Sequence, residues 1–233
     1  MTTGRMGSGS RPLRSWSFAL LAASILAAPA AFGQAEQRVL VTDAKLTLAG
    51  FLGDPNMSWL QRNLREAKAV LIAPSVARAG FILGGSGGRA VVVARDEASG
   101  KWAGPAFYTL ATASVGFQAG IAVSEVVTLV MTDKGLNSLL SDSFKLGGDA
   151  SIAAGPIGAG ARSDIAADLV AFSRSKGVYA GINLDGTIVS TSDEWNRIYY
   201  GRTVTATDIL TRMNVQNRQA SELLNMVTKA ASK

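Results

Sequence analysis

Apolar side chains recur at helical spacing in the stretch that follows residue 35. They are three or four positions apart, a period that predicts an amphipathic helix over residues 36–51. The apolar positions are Leu40, Ala44, Leu48 and Phe51. Asp54-Pro55 then has the form of a helix N-cap followed by proline in the first turn. We therefore expect a second helix over residues 55–68.

The second predicted helix has an apolar face and a basic face. Its apolar positions are Met57, Leu60, Leu64 and Ala67. Arg62 and Arg65 fall away from this face, with Lys68 a little further round and Trp59 at the edge. This arrangement is typical of an amphipathic segment that lies on a membrane surface. An ordinary surface helix docked on a sheet is an equally good interpretation of the same pattern.

Residues 70–191 consist mainly of short β-branched and aromatic runs separated by glycine, which predicts an antiparallel sheet. The predicted strands are 70–73, 81–83, 90–95, 107–117, 126–131, 144–154, 169–173, 178–184 and 187–191. Asp185-Gly186 predicts a type I′ hairpin turn between the last two. Helices are predicted over 133–140, capped by Thr132, and over 214–230.

Glycines inside the predicted strands indicate bulges and bends, and hence a strongly curved sheet. The expected fold class is α+β, with a Gly-rich antiparallel sheet in the form of a partial barrel or sandwich between N- and C-terminal helices. We expect one domain over residues 36–233. Its N-terminal helices would span 36–68, its sheet core 69–191 and its C-terminal segment 192–233.

The first 35 residues have the order of a cleavable secretory signal. Arg5, Arg11 and Arg14 precede an apolar stretch over residues 16–31, which small residues follow. We expect cleavage after Gly33 or after Ala35, and an exported protein, periplasmic or secreted, that associates with a membrane. Without those three arginines, 20 basic side chains face 17 acidic ones, a net charge of +3. This balance is too mild to indicate nucleic-acid binding.

The chain contains neither histidine nor cysteine. This absence excludes a Ser-His-Asp triad, a Cys-His pair and an ordinary zinc site, and it leaves carboxylate, lysine, tyrosine or hydroxyl chemistry. We expect no cofactor and no disulfide. A hydrolase that uses Glu125, Asp149 or Asp164 is the least favoured of the functions considered.

Four further features each have a structural interpretation beside a functional one. The glycines of 84–88 could cradle a phosphate, but a strand follows where a phosphate loop needs a helix, which favours a sheet corner. Residues 155–160 are predicted to form a turn. Asp164 and Asp168 could bind a cation on one helical face, although a solvated turn is favoured. Glu125 flanks an apolar run, which favours pairing with a buried cation or amide.

Several consecutive segments together resemble the SYLF-domain family of lipid- and actin-binding modules. They are AKAVLIAPS (67–75), GFILGGSGG (80–88), WAGPAFY (102–108), SVGFQAG (114–120), FKLGGD (144–149), FSRSKGVYAG (172–181), and Asn196 with YYG (199–201). The likeness covers about residues 54–210. It implies an α+β domain without known catalysis, whose eukaryotic members bind phosphoinositide membranes through a basic N-terminal segment and in part bind actin filaments.

The resemblance places the basic segment on the helix that bears Arg62, Arg65 and Lys68. Glu66 makes this segment less basic than in those relatives, and Arg78-Ala79-Gly80 replaces a common Lys-Gly-Gly. We therefore expect a non-enzymatic, exported domain that binds anionic phospholipid, with Trp59 at the membrane interface and Arg78 as a further phosphate ligand. We do not expect actin as a partner, because an exported protein does not meet it. The alternative is a protein-interaction or scaffold module of the cell envelope.

Overall fold

The structure, a computed structural model, describes residues 1–2, 34–80, 83–115, 120–160, 164–175, 178–179 and 184–232. Glu36–Lys233 groups as one compact unit. Residues 3–33 of the expected secretory signal lie outside the described residues. Within the described part of the chain, no helix is both long and apolar enough to cross a membrane.

The described helices lie at the two ends of this unit and at one point in the middle. They are α1 (Ala35–Gly53), α2 (Ser58–Asn63), α3 (Asp133–Leu140), α4 (Asp193–Tyr200), α5 (Ala206–Leu210) and α6 (Ser221–Ala231). Short 3-10 turns occupy Pro55–Met57, Leu64–Glu66 and Arg218–Ala220. The predicted helix 36–51 is confirmed as α1, and 133–140 is confirmed as α3, whose Thr132 cap accepts from the Gly135 N–H.

Nine strands form one sheet in the described part of the chain. They are β1 (Ala69–Gly80), β2 (Leu83–Arg95), β3 (Trp102–Val115), β4 (Gly120–Val130), β5 (Ser143–Lys145), β6 (Ile152–Ala154), β7 (Leu169–Ser175), β8 (Val178–Tyr179) and β9 (Ile188–Thr191). Their order is β5-β9-β3-β2-β1-β4-β7-β6, and β8 pairs with β7. The sheet is strongly curled, which confirms the predicted α+β fold class and its curvature.

Long strands with local irregularities produce the central part of the sheet. β1 runs through Pro74, where its register with β2 shifts between Ile72 and Ser75. Proline cannot donate to a ladder, so the shift falls where β1 lacks a donor. Opposite it, a Cβ on Gly88 would lie 2.4 Å from the Ser75 carbonyl oxygen, so this close approach requires glycine. The glycines of 84–88 therefore belong to a paired strand.

Three expectations about the sheet are wrong. The predicted strand 144–154 is two strands: β5 pairs with β9, and β6 pairs with β7 in parallel, so the sheet is mixed. The hairpin at Asp185-Gly186 does not form between β8 and β9, because β9 pairs with β3 and β5. Among the described non-glycine residues only Met213 has a positive φ, so Asp185 does not adopt a type I′ turn.

The C-terminal segment also differs from the expectation. The predicted helix over 214–230 begins later, as α6, and α4 and α5 precede it. α4 is fixed by side chains that the family resemblance singled out. Asn196 is fully buried, and its Oδ1 accepts from the Phe107 N–H at 2.8 Å. Tyr199 packs edge-on against Phe107, and Gly201 ends the helix in the left-handed conformation.

Alternate residues of the central strands supply two separate cores, one on each face of the sheet. Leu71 belongs to a cluster that α3 and α5 join through Leu139 and Ile209. Val70 and Ile72 point to the other face, where residues of α1, α2 and α6 cover the sheet. This period of two is the direct consequence of strand geometry. Helices therefore form a layer on the second face.

Asp168 joins three elements from a buried position, 9% exposed. Its carboxylate accepts from the Thr132 hydroxyl at 2.6 Å and from the Ser151 N–H and hydroxyl at 2.9 and 2.8 Å. Residues 164–167 are not helical, and no group of three or more acidic side chains able to hold a metal occurs among the described residues. Asp168 is therefore a structural residue, which contradicts the cation-pair alternative.

Replacing Asp168 with Asn should destabilise the fold at neutral pH and weaken its acid dependence. The Thr132 and Ser151 donors lower the pKa of Asp168 to about 2. A folded-state pKa below the unfolded value contributes stability above about pH 4, and this contribution is lost as the pH falls toward 2. We expect Asp168→Asn to lose about 2–3 kcal/mol at pH 7, measured by urea denaturation. Asp164→Asn, at an exposed position, is the control and should change stability little.

Candidate functional site

A surface groove of about 1040 Å³ lies between α1, α2 with its following turn, and α6. This volume is at the upper end of ordinary small-molecule sites, about 300–1,000 Å³. The lining residues are Lys45, Ala49, Leu52, Gly53, Gln61, Arg62, Arg65, Glu222, Asn225, Met226, Lys229 and Ala230. The groove therefore combines an apolar surface with a strongly charged one.

Helical periodicity produces the α1 wall. Lys45, Ala49 and Leu52 are four and three positions apart, so they share one helical face. The neighbouring positions Ala44, Leu48 and Phe51 are fully buried in the core, which fixes the rotation of α1. Burial of the apolar stripe thus turns Lys45 toward the seam with α6.

The junction between α1 and α2 is held by side-chain bonds to backbone. The Gln61 Nε2 donates to the Leu52 carbonyl at 3.1 Å and to the Asp54 carbonyl at 2.7 Å. Asp54 caps the 3-10 turn, since its carboxylate accepts from the Asn56 N–H at 2.8 Å. These bonds satisfy backbone groups that a helix end leaves open. The groove therefore has a fixed end between Leu52 and Arg62.

The α6 wall carries the groove's own carboxylate. Glu222 lies in the first turn of α6, and its Oε2 is 2.5 Å from the Lys45 Nζ. The Lys45 hydrogen bond lowers the pKa of Glu222. Lys229 is exposed in the last turn, while Met226 and Ala230 are half-buried. Four cations and one carboxylate thus line the groove.

Arg62 and Arg65 are exposed, as their spacing predicts, whereas Lys68 does not continue their helical face. Both arginines are exposed and line the groove, with Glu66 3.7 Å from Arg65. The α-helix ends at Asn63 and the following 3-10 turn at Glu66, so Lys68 lies outside the helix just before β1. Lys68 pairs with Asp133 at 2.8 Å and with Glu97, bonds that raise its pKa. The expectation of one basic helical face through Lys68 is therefore wrong.

Trp59 is a core residue, which contradicts its predicted position at the edge of the apolar face. It is 5% exposed, and its ring centroid lies 5.8 Å from that of Phe172 on β7. A buried ring cannot insert into a membrane interface. The period of 3.6 placed Trp59 at the edge because it assumed a regular helix, while the structure has a short α-helix between two 3-10 turns.

Arg78 lies apart from the groove. It is half-buried near the far end of β1, opposite Ser86 on β2 and Ala122 on β4. Lys68, by contrast, precedes the first residue of the same strand. Arg78 therefore does not form one site with Arg62 on α2 and Arg65 in the following 3-10 turn.

Glu125 is confirmed as a paired carboxylate. Arg174 on β7 approaches its Oε2 through Nε at 2.6 Å and through a terminal nitrogen at 2.5 Å. The Thr47 hydroxyl lies 3.3 Å from the other oxygen, which connects the pair to α1. Asp149 is also engaged, because it accepts from the Lys145 N–H at 2.7 Å. Two of the three carboxylates considered for a hydrolase, Glu125 and Asp149, thus have structural partners.

The cavity described on the first face of the sheet is small. The cavity on the first face, lined by Leu71, Leu110 and Val189 among others, has a volume of about 10 Å³. One water needs about 10–15 Å³. A fatty acyl chain cannot fit in this cavity.

The structure defines an α+β domain with a charged surface groove. Residues 111–230 match the family model described as "Ysc84: Las17-binding protein actin regulator". The chain belongs to the Ysc84 family, and the SYLF resemblance seen in the sequence is thereby confirmed.

Two similar proteins are eukaryotic and longer than this chain. The human SH3 domain-containing YSC84-like protein 1 is 31% identical over 175 residues, 73% of this chain and 51% of its own length. LAS seventeen-binding protein 3 of Saccharomyces cerevisiae is 33% identical over 154 residues, 63% of this chain and 33% of its own length. This chain thus spans about half the length of the human protein and a third of the length of the yeast protein. The name of the yeast protein describes binding, and the name of the human protein describes an SH3 domain.

Removing the Trp59 ring should destabilise the protein, because the ring packs in the core. We expect Trp59→Ala to lower the free energy of unfolding by about 3–5 kcal/mol, measured by chemical denaturation. Arg62→Gln, at an exposed position three residues later, should change it by less than about 0.5 kcal/mol. A stable, well-folded Trp59→Ala protein with weakened membrane binding would instead support an interfacial role.

Proposed function

We propose that this protein is a non-enzymatic, exported domain that binds anionic phospholipid at a membrane surface through the groove between α1, α2 and α6. The observation that carries the proposal is the composition of the groove. Lys45, Arg62, Arg65 and Lys229 line it together with the apolar side chains of Leu52 and Met226. Phosphate and hydrocarbon are the two chemistries that a phospholipid combines.

The charges of the groove favour a negatively charged surface. Each Lys or Arg close to an anionic leaflet contributes about 1 kcal/mol. Glu222 and Glu66 reduce the local excess, but the cations of the groove still outnumber these two acids. Exposed charges act over about 10 Å at moderate salt, so the binding should weaken as salt is added.

Exposed apolar side chains on α1, the helix that forms one wall of the groove, favour a membrane over a soluble anion. Leu46 on α1 is 59% exposed and follows Lys45 directly in the chain. Val39, one heptad earlier, is 58% exposed. Contact of these side chains with lipid would remove apolar surface from water, which stabilises the bound state by about 25 cal/mol per Å².

Arg62 and Arg65 should account for much of the binding to anionic vesicles. We expect Arg62→Gln with Arg65→Gln to weaken sedimentation with phosphatidylglycerol vesicles about thirtyfold at low salt, since two cations contribute about 2 kcal/mol. Vesicles of phosphatidylcholine alone should bind little of either protein. The matched control is Arg197→Gln with Arg202→Gln, which removes the same charge from exposed positions outside the groove. Equal losses in both variants would refute the groove as the site.

A second candidate function is protein binding, which the description of the matched family favours. A second groove of about 750 Å³ lies between the β2–β3 connection and the segment before and within α6, and Lys101, Arg218 and Leu224 line it. The alternative predicts a crosslinked species in an envelope extract that disappears with Lys101→Glu and Arg218→Glu. The lipid proposal predicts no such dependence.

A further inference from the structure

The most unusual feature of the groove is that it contains its own anion. The Glu222 carboxylate lies 2.5 Å from the Lys45 Nζ, and no other acidic side chain lines the groove among the described residues. Glu222 is 77% exposed and Lys45 is 26% exposed, measured on their side chains. The carboxylate thus approaches the more buried cation from the solvent side.

We propose that Glu222 is an internal competitor that occupies the phosphate position at Lys45, and that an anionic phospholipid displaces it. This inference rests on the proposed function and specifies its regulation. Carboxylate and phosphate oxygens make the same charge-assisted bonds to an ammonium group. A headgroup phosphate at Lys45 and the Glu222 carboxylate would therefore repel each other and compete for one donor.

The displacement requires little energy. An ion pair that solvent reaches contributes little to stability, because water solvates both charged groups. Glu222 is exposed enough to turn into solvent when Lys45 binds a phosphate. The pair is thus strong enough to fill the position in the absence of lipid and weak enough to yield to it.

The competition also gives selectivity for membranes over isolated phosphate. A soluble phosphate offers one group to exchange for the Glu222 carboxylate, so its net gain at Lys45 is small. A lipid in a membrane adds neighbouring charges for Arg62, Arg65 and Lys229, and it adds hydrocarbon for Leu52 and Met226. Only a ligand with these additional contacts is expected to displace Glu222 at low concentration.

The test compares Glu222→Gln with a matched variant elsewhere. Glu194 is the exposed second residue of α4, as Glu222 is the exposed second residue of α6. Glu194→Gln therefore changes the net charge equally and at a matched helix position. We expect Glu222→Gln to bind phosphatidylglycerol vesicles about threefold to tenfold more tightly, because one repulsive charge is gone. Glu194→Gln should bind like the unchanged protein. Thermal denaturation of both variants checks that they are folded.

A second comparison links the effect to Lys45. In a Lys45→Met background, Glu222→Gln should give a clearly smaller gain in vesicle binding, because there is no ammonium group to release.

Glycerol 3-phosphate is the soluble headgroup probe. If the membrane is the ligand, this probe at millimolar concentration should release neither the unchanged protein nor Glu222→Gln from vesicles. Efficient displacement would identify free phosphate esters as the ligand and overturn the membrane part of the inference.

The outcomes separate the two proposals. Absence of vesicle binding by both the unchanged protein and Glu222→Gln would refute both. Binding that depends on Arg62 and Arg65, with no gain in Glu222→Gln beyond that of Glu194→Gln, would leave the groove as the site and overturn only the competition by Glu222.

Discussion

The fit of the helical layer on one face of the sheet determines most of what this protein presents to its surroundings. Val70 and Ile72 make that face apolar, and α1 covers it with Leu48 and Phe51. An apolar face of this size must be removed from water for the domain to fold. The helices of this layer do not cover the sheet continuously, and the groove lies between α1, α2 and α6.

The sequence was sufficient for several features that depend on neighbouring residues. α1 follows from its spacing of apolar residues, and α3 follows from the Thr132 cap, because both are set within one or two helical turns. The pairing of Glu125 could be predicted because a carboxylate beside a buried strand needs a partner. Its partner, Arg174, could not, since strand pairing brings it from another part of the chain.

Features that depend on contacts between residues far apart in the chain could not be predicted from the spacing of apolar and polar residues. Lys45 and Glu222 are 177 positions apart, so no local spacing places them together. The split of 144–154 into β5 and β6 depends on their different partners, β9 and β7. Trp59 was misplaced for a related reason, because Phe172 on β7 and the core around it receive its ring. One signal was available: Glu222, Asn225, Met226 and Lys229 repeat at helical spacing on α6.

The family model covers the α6 wall of the groove but not the wall formed by α1 and α2. The matched range, 111–230, includes Glu222 and Lys229 on α6. It begins after α1 and α2, which lie earlier in the chain. The cations Lys45, Arg62 and Arg65 thus belong to the part that the family model does not cover. Membership in the family therefore supports the fold of the α6 wall, whereas the proposed ligand chemistry depends on Lys45, Arg62 and Arg65. Unlike the buried side chains of α1 and α2, these groove cations can be substituted without removing side chains from the core.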